Sequence, residues 1–449
     1  MVATVCRKRF KTYVLDEFAR SGRLIIDFEI LGEQMKKIAK LSLVAAVAVA
    51  GLTSANAQPL EEAIKNVDVS GSVVYRYNDY NNDNEPATKT DAASNNYKVA
   101  LNLSSKVNDD VKFYSRFLAT NNSDNGFTEL KTNGGDGQAN VALSNAYFGY
   151  TGITNTTVNV GKQGLTTPWT VAIDSDGNEQ TGTGVLALST VGPVTLAAAY
   201  FNQSNVVDSL DSKLGNGTAL KSQIGGDLDI ATVGAIATFT PVTVDAWYLN
   251  LNDTFDTYTL GAKVATEVSG IKLGADARWA SLSLDKDVAT ALTSHLSATS
   301  ELAEDNSMAK LVLTADAGLV DGKIAYAMTD KEGGLTALDN DANTTLLGWN
   351  LALNGKADAD YWQAVLGFDI LSNLNLSANY GNLQYIEMAN STTDIEEEEV
   401  YAQLLYKMSK NLTTYVRYGT YTKETTTGAG VVTENNDDTR GRLQVEYTF

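Results

Sequence analysis

The chain predicts an all-β fold, a transmembrane antiparallel β-barrel of about eighteen strands. Three observations carry that prediction: apolar–polar alternation at strand period, links that are short and long by turns, and an apolar, aromatic C-terminal tail. The last run shows the alternation best, with Leu443, Val445, Tyr447 and Phe449 on one face and Gln444, Glu446 and Thr448 on the other. Residues 272–281 behave alike, with Leu273, Ala275, Ala277 and Trp279 set against Lys272, Gly274, Asp276 and Arg278. In the first run, Val67, Val69, Val73, Tyr75 and Tyr77 oppose Asp68, Ser70 and Arg76. Successive side chains of a strand point to opposite faces, so each run presents one lipid face and one wet face.

In order, the strands are expected at 67–77, 97–106, 111–120, 141–151, 156–161, 183–190, 194–202, 229–239 and 242–251. They continue at 255–267, 271–284, 307–318, 322–330, 360–370, 374–386, 398–408, 412–423 and 439–449. Short links such as 152–155, 191–193, 240–241 and 268–270 alternate with long Asn/Asp/Gly-rich ones such as 78–96, 121–140 and 424–438. One link on the long side, 252–254, is short. Periplasmic turns and extracellular loops sort by parity in this way; a soluble β-sandwich has no reason to. An even strand number puts both ends of the barrel in the periplasm. Phe449, with Tyr447 and Val445 at alternate positions before it, fits the tail that the outer-membrane assembly machinery reads.

Composition agrees. Gly is abundant at 36, Pro scarce at 5, and Tyr, at 21, exceeds Trp or Phe, a mix suited to twisted strands and aromatic girdles. Residues 35–57 read as a signal peptide: Lys36, Lys37 and Lys40 precede an apolar run from Leu41 to Leu52 that is too short to span a bilayer, and Ala55-Asn56-Ala57 offers cleavage after Ala57. Residues 1–34 lie upstream of that signal, as an extension from a start assigned too early, which leaves 58–449 as the barrel domain.

The formal charge is −20; residues 1–57 hold nine basic and five acidic side chains, so 25 basic against 49 acidic remain, or −24. No basic stripe is left for phosphates, which excludes a nucleic-acid partner. Cys6 is the only cysteine and lies outside the barrel segment, so no internal disulfide is available there. His295 is the only histidine, which removes most His-based catalytic or metal sites.

The stretch Pro59-Leu60-Glu61-Glu62-Ala63-Ile64-Lys65-Asn66-Val67-Asp68-Val69-Ser70-Gly71 resembles the mature start of the Campylobacter-type major outer-membrane porins. A second patch is similar too, running from Gly161-Lys162-Gln163 through Trp169-Thr170 and Ala172-Ile173-Asp174 to Gly182-Thr183-Gly184-Val185, then Leu196-Ala197-Ala198-Ala199. The resemblance implies an eighteen-stranded, homotrimeric general-diffusion porin in the bacterial outer membrane, lipid-embedded, passing ions and small hydrophilic solutes. The middle of the chain agrees in architecture only.

A barrel this wide leaves an aqueous lumen, and an inward-folded loop would narrow it. The candidate is the link 162–182, where Asp174, Asp176 and Glu179 cluster and Pro168-Trp169 and Asp176-Gly177 favour tight bends. Strand phase points Arg76, Lys98, Lys112 and Arg116 into the lumen. Acidic loop against basic wall would set a transverse field, and the negative balance points to cation preference. The bland readings are a basic rim and an acidic surface loop; the run Glu396–Glu399 is expected as a solvated strand edge.

No cofactor is required, but the resemblance implies calcium near the constriction, with Asp174 as candidate ligand; Val171 departs from the family's acidic position after Trp-Thr. Enzymatic function is not expected. A hydrolase would need a nucleophile and base, and Ser294 beside His295 in a loop at 285–306 makes none. An adhesin or structural barrel with binding loops stays open, as does a substrate-specific channel, which would call for a ladder of basic or aromatic residues along the lumen.

Overall fold

The computed structural model describes residues 67–82, 92–120, 126–130, 138–203, 228–295, 303–386 and 391–449. The expected signal peptide, its cleavage site and the upstream extension lie outside these residues. The strands are β1 (Val67–Asn82), β2 (Ala92–Lys106), β3 (Val111–Thr120), β4 (Thr128–Leu130), β5 (Asn140–Ile153), β6 (Thr156–Gly164) and β7 (Thr181–Val191). Then come β8 (Val194–Gln203), β9 (Ile230–Phe239), β10 (Val242–Leu251), β11 (Phe255–Val268), β12 (Ile271–Leu284) and, after the helix α1 (Lys286–His295), β13 (Asp305–Asp316). The series ends with β14 (Val320–Thr329), β15 (Ala357–Leu371), β16 (Leu374–Ile386), β17 (Asp394–Lys407), β18 (Leu412–Thr426) and β19 (Val432–Thr448).

Consecutive strands pair antiparallel throughout, with β3 meeting β5 past the short β4, which extends β2 instead. The eighteen wall strands close when β1 pairs β19, from Ser72↔Thr448 to Asn82↔Asp438. All eighteen expected strands are present in order, most of them longer than the alternation showed. Two short elements were missed. β4 has three residues, too few to show a period. The link 285–306, expected as a loop, carries α1, whose Asp287 sits in the first turn and suits the positive end of the helix dipole.

The turns have local causes. Between β11 and β12, Ser269 and Gly270 both take positive φ, 53° and 82°, as a two-residue primed hairpin turn requires. Between β5 and β6 the turn closes through Asn155 at φ 55°, and Asn tolerates that region better than most residues.

Large apolar side chains such as Phe148, Leu196, Leu260, Leu313, Ile324, Leu366 and Val416 stand exposed on the outer face. Water would penalise that surface by about 25 cal/mol per Å²; lipid does not. No helix among the described residues is long and apolar enough to cross a membrane, and the strands do the crossing.

The inner face is less uniformly wet than alternation implies. Leu249 and Leu251 of β10, Phe255 of β11 and Leu282 of β12 point inward and are buried together with Trp169, Leu335 and Leu338 of two loops. A second cluster joins Tyr361, Leu383 and Tyr385 of the wall to Leu351 and Leu353. These inward apolar residues exist because loops fold into the barrel and cover them.

The seam also explains the tail. Gly71 and Phe449 exchange backbone hydrogen bonds of 2.9 and 3.0 Å, and Tyr447 and Phe449 stack with ring centres 6.0 Å apart. A Cβ at Gly71 would lie 2.2 Å from the Ala100 carbonyl oxygen and 2.7 Å from the Phe449 ring. Gly71→Val should therefore cost about 1–3 kcal/mol through overpacking, read as a lower temperature at which the folded, fast-migrating form is lost on semi-native gels. Unchanged heat resistance would contradict this account of the seam.

Candidate functional site

The loop 165–180 leaves β6 and turns into the barrel. Its first half is anchored by burial: Thr170 donates to the Leu165 carbonyl at 2.6 Å, and Trp169 is fully buried. Its second half is a tight hairpin. Asn178 donates from its backbone N and from Nδ2 to the two Asp174 carboxylate oxygens, each at 2.8 Å. Gly177 takes φ +85°, and a Cβ there would meet the Phe127 ring at 2.6 Å.

Three of the four expected wall cations converge on this loop. The Glu179 carboxylate lies 2.7 Å from Arg116 Nη2 and 2.9 Å from Lys98 Nζ, with Ser144 Oγ donating at 2.6 Å. Burial opposes its charge, yet the Arg116 hydrogen bonds, Lys98 and Ser144 hold it below the usual carboxylate range. Its side chain is 1% exposed, so Glu179 fastens the loop to the wall and does not face open water. Asp176 is the opposite case: it lies 3.3 Å from Arg76 and 3.5 Å from Arg442, and its side chain is 67% exposed. Lys112 is exposed beside the turn 107–110, opposite Lys106, and is not brought to the loop. Four residues along β3 separate it from Arg116, roughly 13 Å.

A second inward loop, 330–356, escaped the sequence reading. It docks directly on the first: Leu338 N donates to the Trp169 carbonyl at 2.9 Å and Thr344 N to that of Pro168 at 3.0 Å. Asp341 accepts from Ser175 N, and Asp339 from Gln180 Nε2. Its tip is held by Glu399, whose oxygens accept from Trp349 N at 2.9 Å and Asn350 N at 2.7 Å. This corrects the expectation for Glu396–Glu399. Strand alternation splits the run, and the inward pair Glu397 and Glu399 is buried, at 6% and 2% exposure. The available signal was a link far longer than a turn needs, rich in Leu, a residue an exposed loop has little use for.

Between the loops and the wall lies a polar cavity of about 360 Å³. Asp174, Asp176, Asp339 and Asp341 of the loops line it, together with Lys323, Arg417, Arg442 and one carboxylate, Glu399, of the wall. Burial pushes Asp174 up to about 6, against its hydrogen bonds from Asn178 and with help from Asp339 and Asp176. Asp341 is raised as well, by burial first and then by its acidic neighbours. Arg417 packs over Trp349 and Tyr401, each 5.0 Å away, and over Tyr415 at 5.4 Å.

For the calcium expectation, Asp174 lines the cavity, but among the described residues no three His, Cys, Asp or Glu groups stand close enough to hold a metal.

A closed barrel with an oily outer wall, a polar cavity and an inward loop defines an outer-membrane channel of the porin class. Residues 35–449 match the family described as Campylobacter major outer membrane protein, and the chain belongs to that family. Its place is the bacterial outer membrane, and its role is solute passage. The solved structure of Pseudomonas aeruginosa OccK2 (OpdF) is similar, with a TM-score of 0.64 at 17% identity, covering 85% of this chain and 98% of that one. Acinetobacter baumannii OccAB3 gives 0.65 at 13%, covering 85% and 99%. OpdK of P. aeruginosa, solved with vanillate, gives 0.63 at 16%, covering 85% and 98%. At these identities the likeness is one of fold. No curated protein sequence matches significantly.

Two outcomes follow from the anchoring. Removing one partner of a buried ion pair costs about 3–5 kcal/mol, so Glu179→Ala should free the loop from the wall and raise single-channel conductance; conductance at the parent level would show the anchor to be dispensable. Acidification acts on Asp174, which is neutral below about pH 6 and charged above it. Any cation bias it supports should fall as pH drops through 6, measured as reversal potential against pH, whereas a flat profile from 7 to 5 would remove Asp174 from the conduction path.

Proposed function

We propose that the chain is a non-enzymatic diffusion channel for ions and small hydrophilic solutes, with a preference for cations set by the two acidic loops. The carrying observation is the split role of the loop 165–180. Glu179 is committed to Lys98 and Arg116 at the wall, where one positive charge stays in excess, while Asp174 and Asp176 line the cavity. Four aspartates, Asp174, Asp176, Asp339 and Asp341, line the loop side of the cavity, so carboxylates dominate the lip that a solute meets even with Arg76 and Arg442 beside Asp176. Acidic groups in a narrow, low-dielectric bore raise the local cation concentration.

The rest of the reading rests on the resemblance and the tail. Export through a signal at 35–57 with cleavage after Ala57, assembly as a homotrimer, and recognition of Phe449 and Tyr447 by the assembly machinery belong to it. A match that starts at Met35 supports Met35 as the start of the functional product. A second reading, a channel that prefers particular solutes, is favoured by Arg417 and Lys323, which face the same cavity. OccK2 has been solved with glucuronate and OpdK with vanillate, both carboxylates.

The test is conductance of the purified protein in planar bilayers under a KCl gradient. Openings in triplets, with a reversal potential of the sign given by cation flow, are expected. Asp174→Asn with Asp176→Asn should move that potential toward zero. A potential that does not move would discard the acidic lip as the selectivity element and leave the fold untouched.

A further inference from the structure

The cavity between the loops and the wall holds four charges whose direct hydrogen-bond partners are neutral, although other charged groups, Glu399 among them, share the cavity. Lys323 Nζ donates to Gln363 Oε1 at 2.9 Å. Arg417 donates from Nε and Nη2 to Gln403 Oε1 at 3.0 and 2.7 Å. Each cation is thus oriented by a glutamine carbonyl, and among the described residues neither lies within ion-pair distance of a carboxylate. On the facing side, Asp174 is bonded by Asn178, and Asp341 by the Ser175 backbone. Among the described residues neither of these meets a cation at ion-pair distance.

The elements holding these groups explain why they do not collapse onto one another. Lys323 and Arg417 stand on β14 and β18 of the rigid wall. Asp174 and Asp341 are carried by loops that bond to each other and are fixed by Glu179 and Glu399. The rings of Trp349, Tyr401 and Tyr415 line the floor beside Arg417. A volume of about 360 Å³ suits a small molecule.

Complementarity then selects the solute. An anion would satisfy the wall and be repelled by the loops, and a cation the reverse. A molecule with an ammonium and a carboxylate a few bonds apart satisfies both sides at once, with its side chain over the rings. We infer that the cavity is a binding station for zwitterionic solutes of free amino acid or dipeptide size. The carboxylate is taken by Arg417 and Lys323 and the ammonium by Asp174 and Asp341. This rests on the channel reading above and names its solute class.

Alanyl-alanine separates the possibilities when compared with N-acetyl-alanyl-alanine, an anion, and alanyl-alanine amide, a cation. Each is added to the purified protein in planar bilayers at pH 7, and the concentration that halves the ion current is read. The zwitterion should act at a concentration about tenfold lower than either blocked form, the worth of one charge-assisted contact. Lys323→Gln with Arg417→Gln should erase its advantage over the amide. Asp174→Asn with Asp341→Asn should erase its advantage over the acetylated form. Folding of each variant is checked by its mobility on unheated gels, and either pair of variants suffices for the test. Equal half-blocking concentrations for the three probes, or an advantage that survives in a folded variant, would overturn the inference. Failure of the channel reading looks different: no conductance steps in salt alone.

Discussion

A peptide group inside hydrocarbon has no water to bond with, so each unsatisfied N–H or C=O there costs several kcal/mol. For a chain crossing with strands, this leaves one solution: the first strand must find the last. The pairing of β1 with β19 meets that demand, and Gly71 and Phe449 complete it at the end of the seam by exchanging both backbone hydrogen bonds. Everything else follows from closure. It fixes which face meets lipid, encloses a space, and leaves the chain's remaining freedom in the loops at one end.

That enclosed space is too wide for eighteen strands' inward side chains to fill. The chain fills part of it with its own loops, and the packing obeys ordinary rules. Apolar residues that a wet lumen would not favour, such as Leu249, Leu251 and Leu282, are buried by Trp169, Leu335 and Leu338. Carboxylates that enter the packed zone are matched: Glu179 by two cations and a hydroxyl, Glu399 by two backbone amides. Neither loop could be held by apolar contact alone, because its other side must face water. A buried charge with good partners is strongly penalised when one partner is lost. It therefore fixes the position of a loop more sharply than it adds to stability.

The barrel was legible because its signal is local and repeated: every strand reports its two faces within about ten residues. Loop 165–180 was legible by composition, since Asp174, Asp176 and Glu179 sit close together between strands. The different roles of these three were not. Whether a carboxylate faces water or a buried Arg–Lys pair depends on residues 63 and 81 positions away, namely Arg116 and Lys98. The loop 330–356 was hidden for a related reason. Its partner Glu399 stands in a run of four glutamates that looks uniformly solvated until strand phase sorts it by face. Lys112 shows a limit of parity. Its parity is that of Arg116, yet position along the strand, which parity does not encode, sets it beside the turn at 107–110.

The charges left over give the cavity its character. Had Arg417 and Lys323 been paired with wall carboxylates, as Arg278 is with Asp245 at 2.7 Å, their fields would close on themselves and a passing solute would feel little. Neutral glutamines hold them instead, and the wall carboxylate of the same cavity, Glu399, spends its oxygens on the loop amides of Trp349 and Asn350, so orientation is kept and the charges are not directly paired. The same separation acts on the facing loops, where burial beside other acids raises Asp174 and Asp341. Those carboxylates are costly to keep ionised and are relieved by any cation that arrives. In the proposed channel, wall cations and loop carboxylates held apart across a gap of molecular size would form a field with a direction. Its sources are anchored by backbone closure on one side and by two buried glutamates on the other. On the proposed reading, selectivity would therefore rest on how the loops are fastened as much as on which charges they carry.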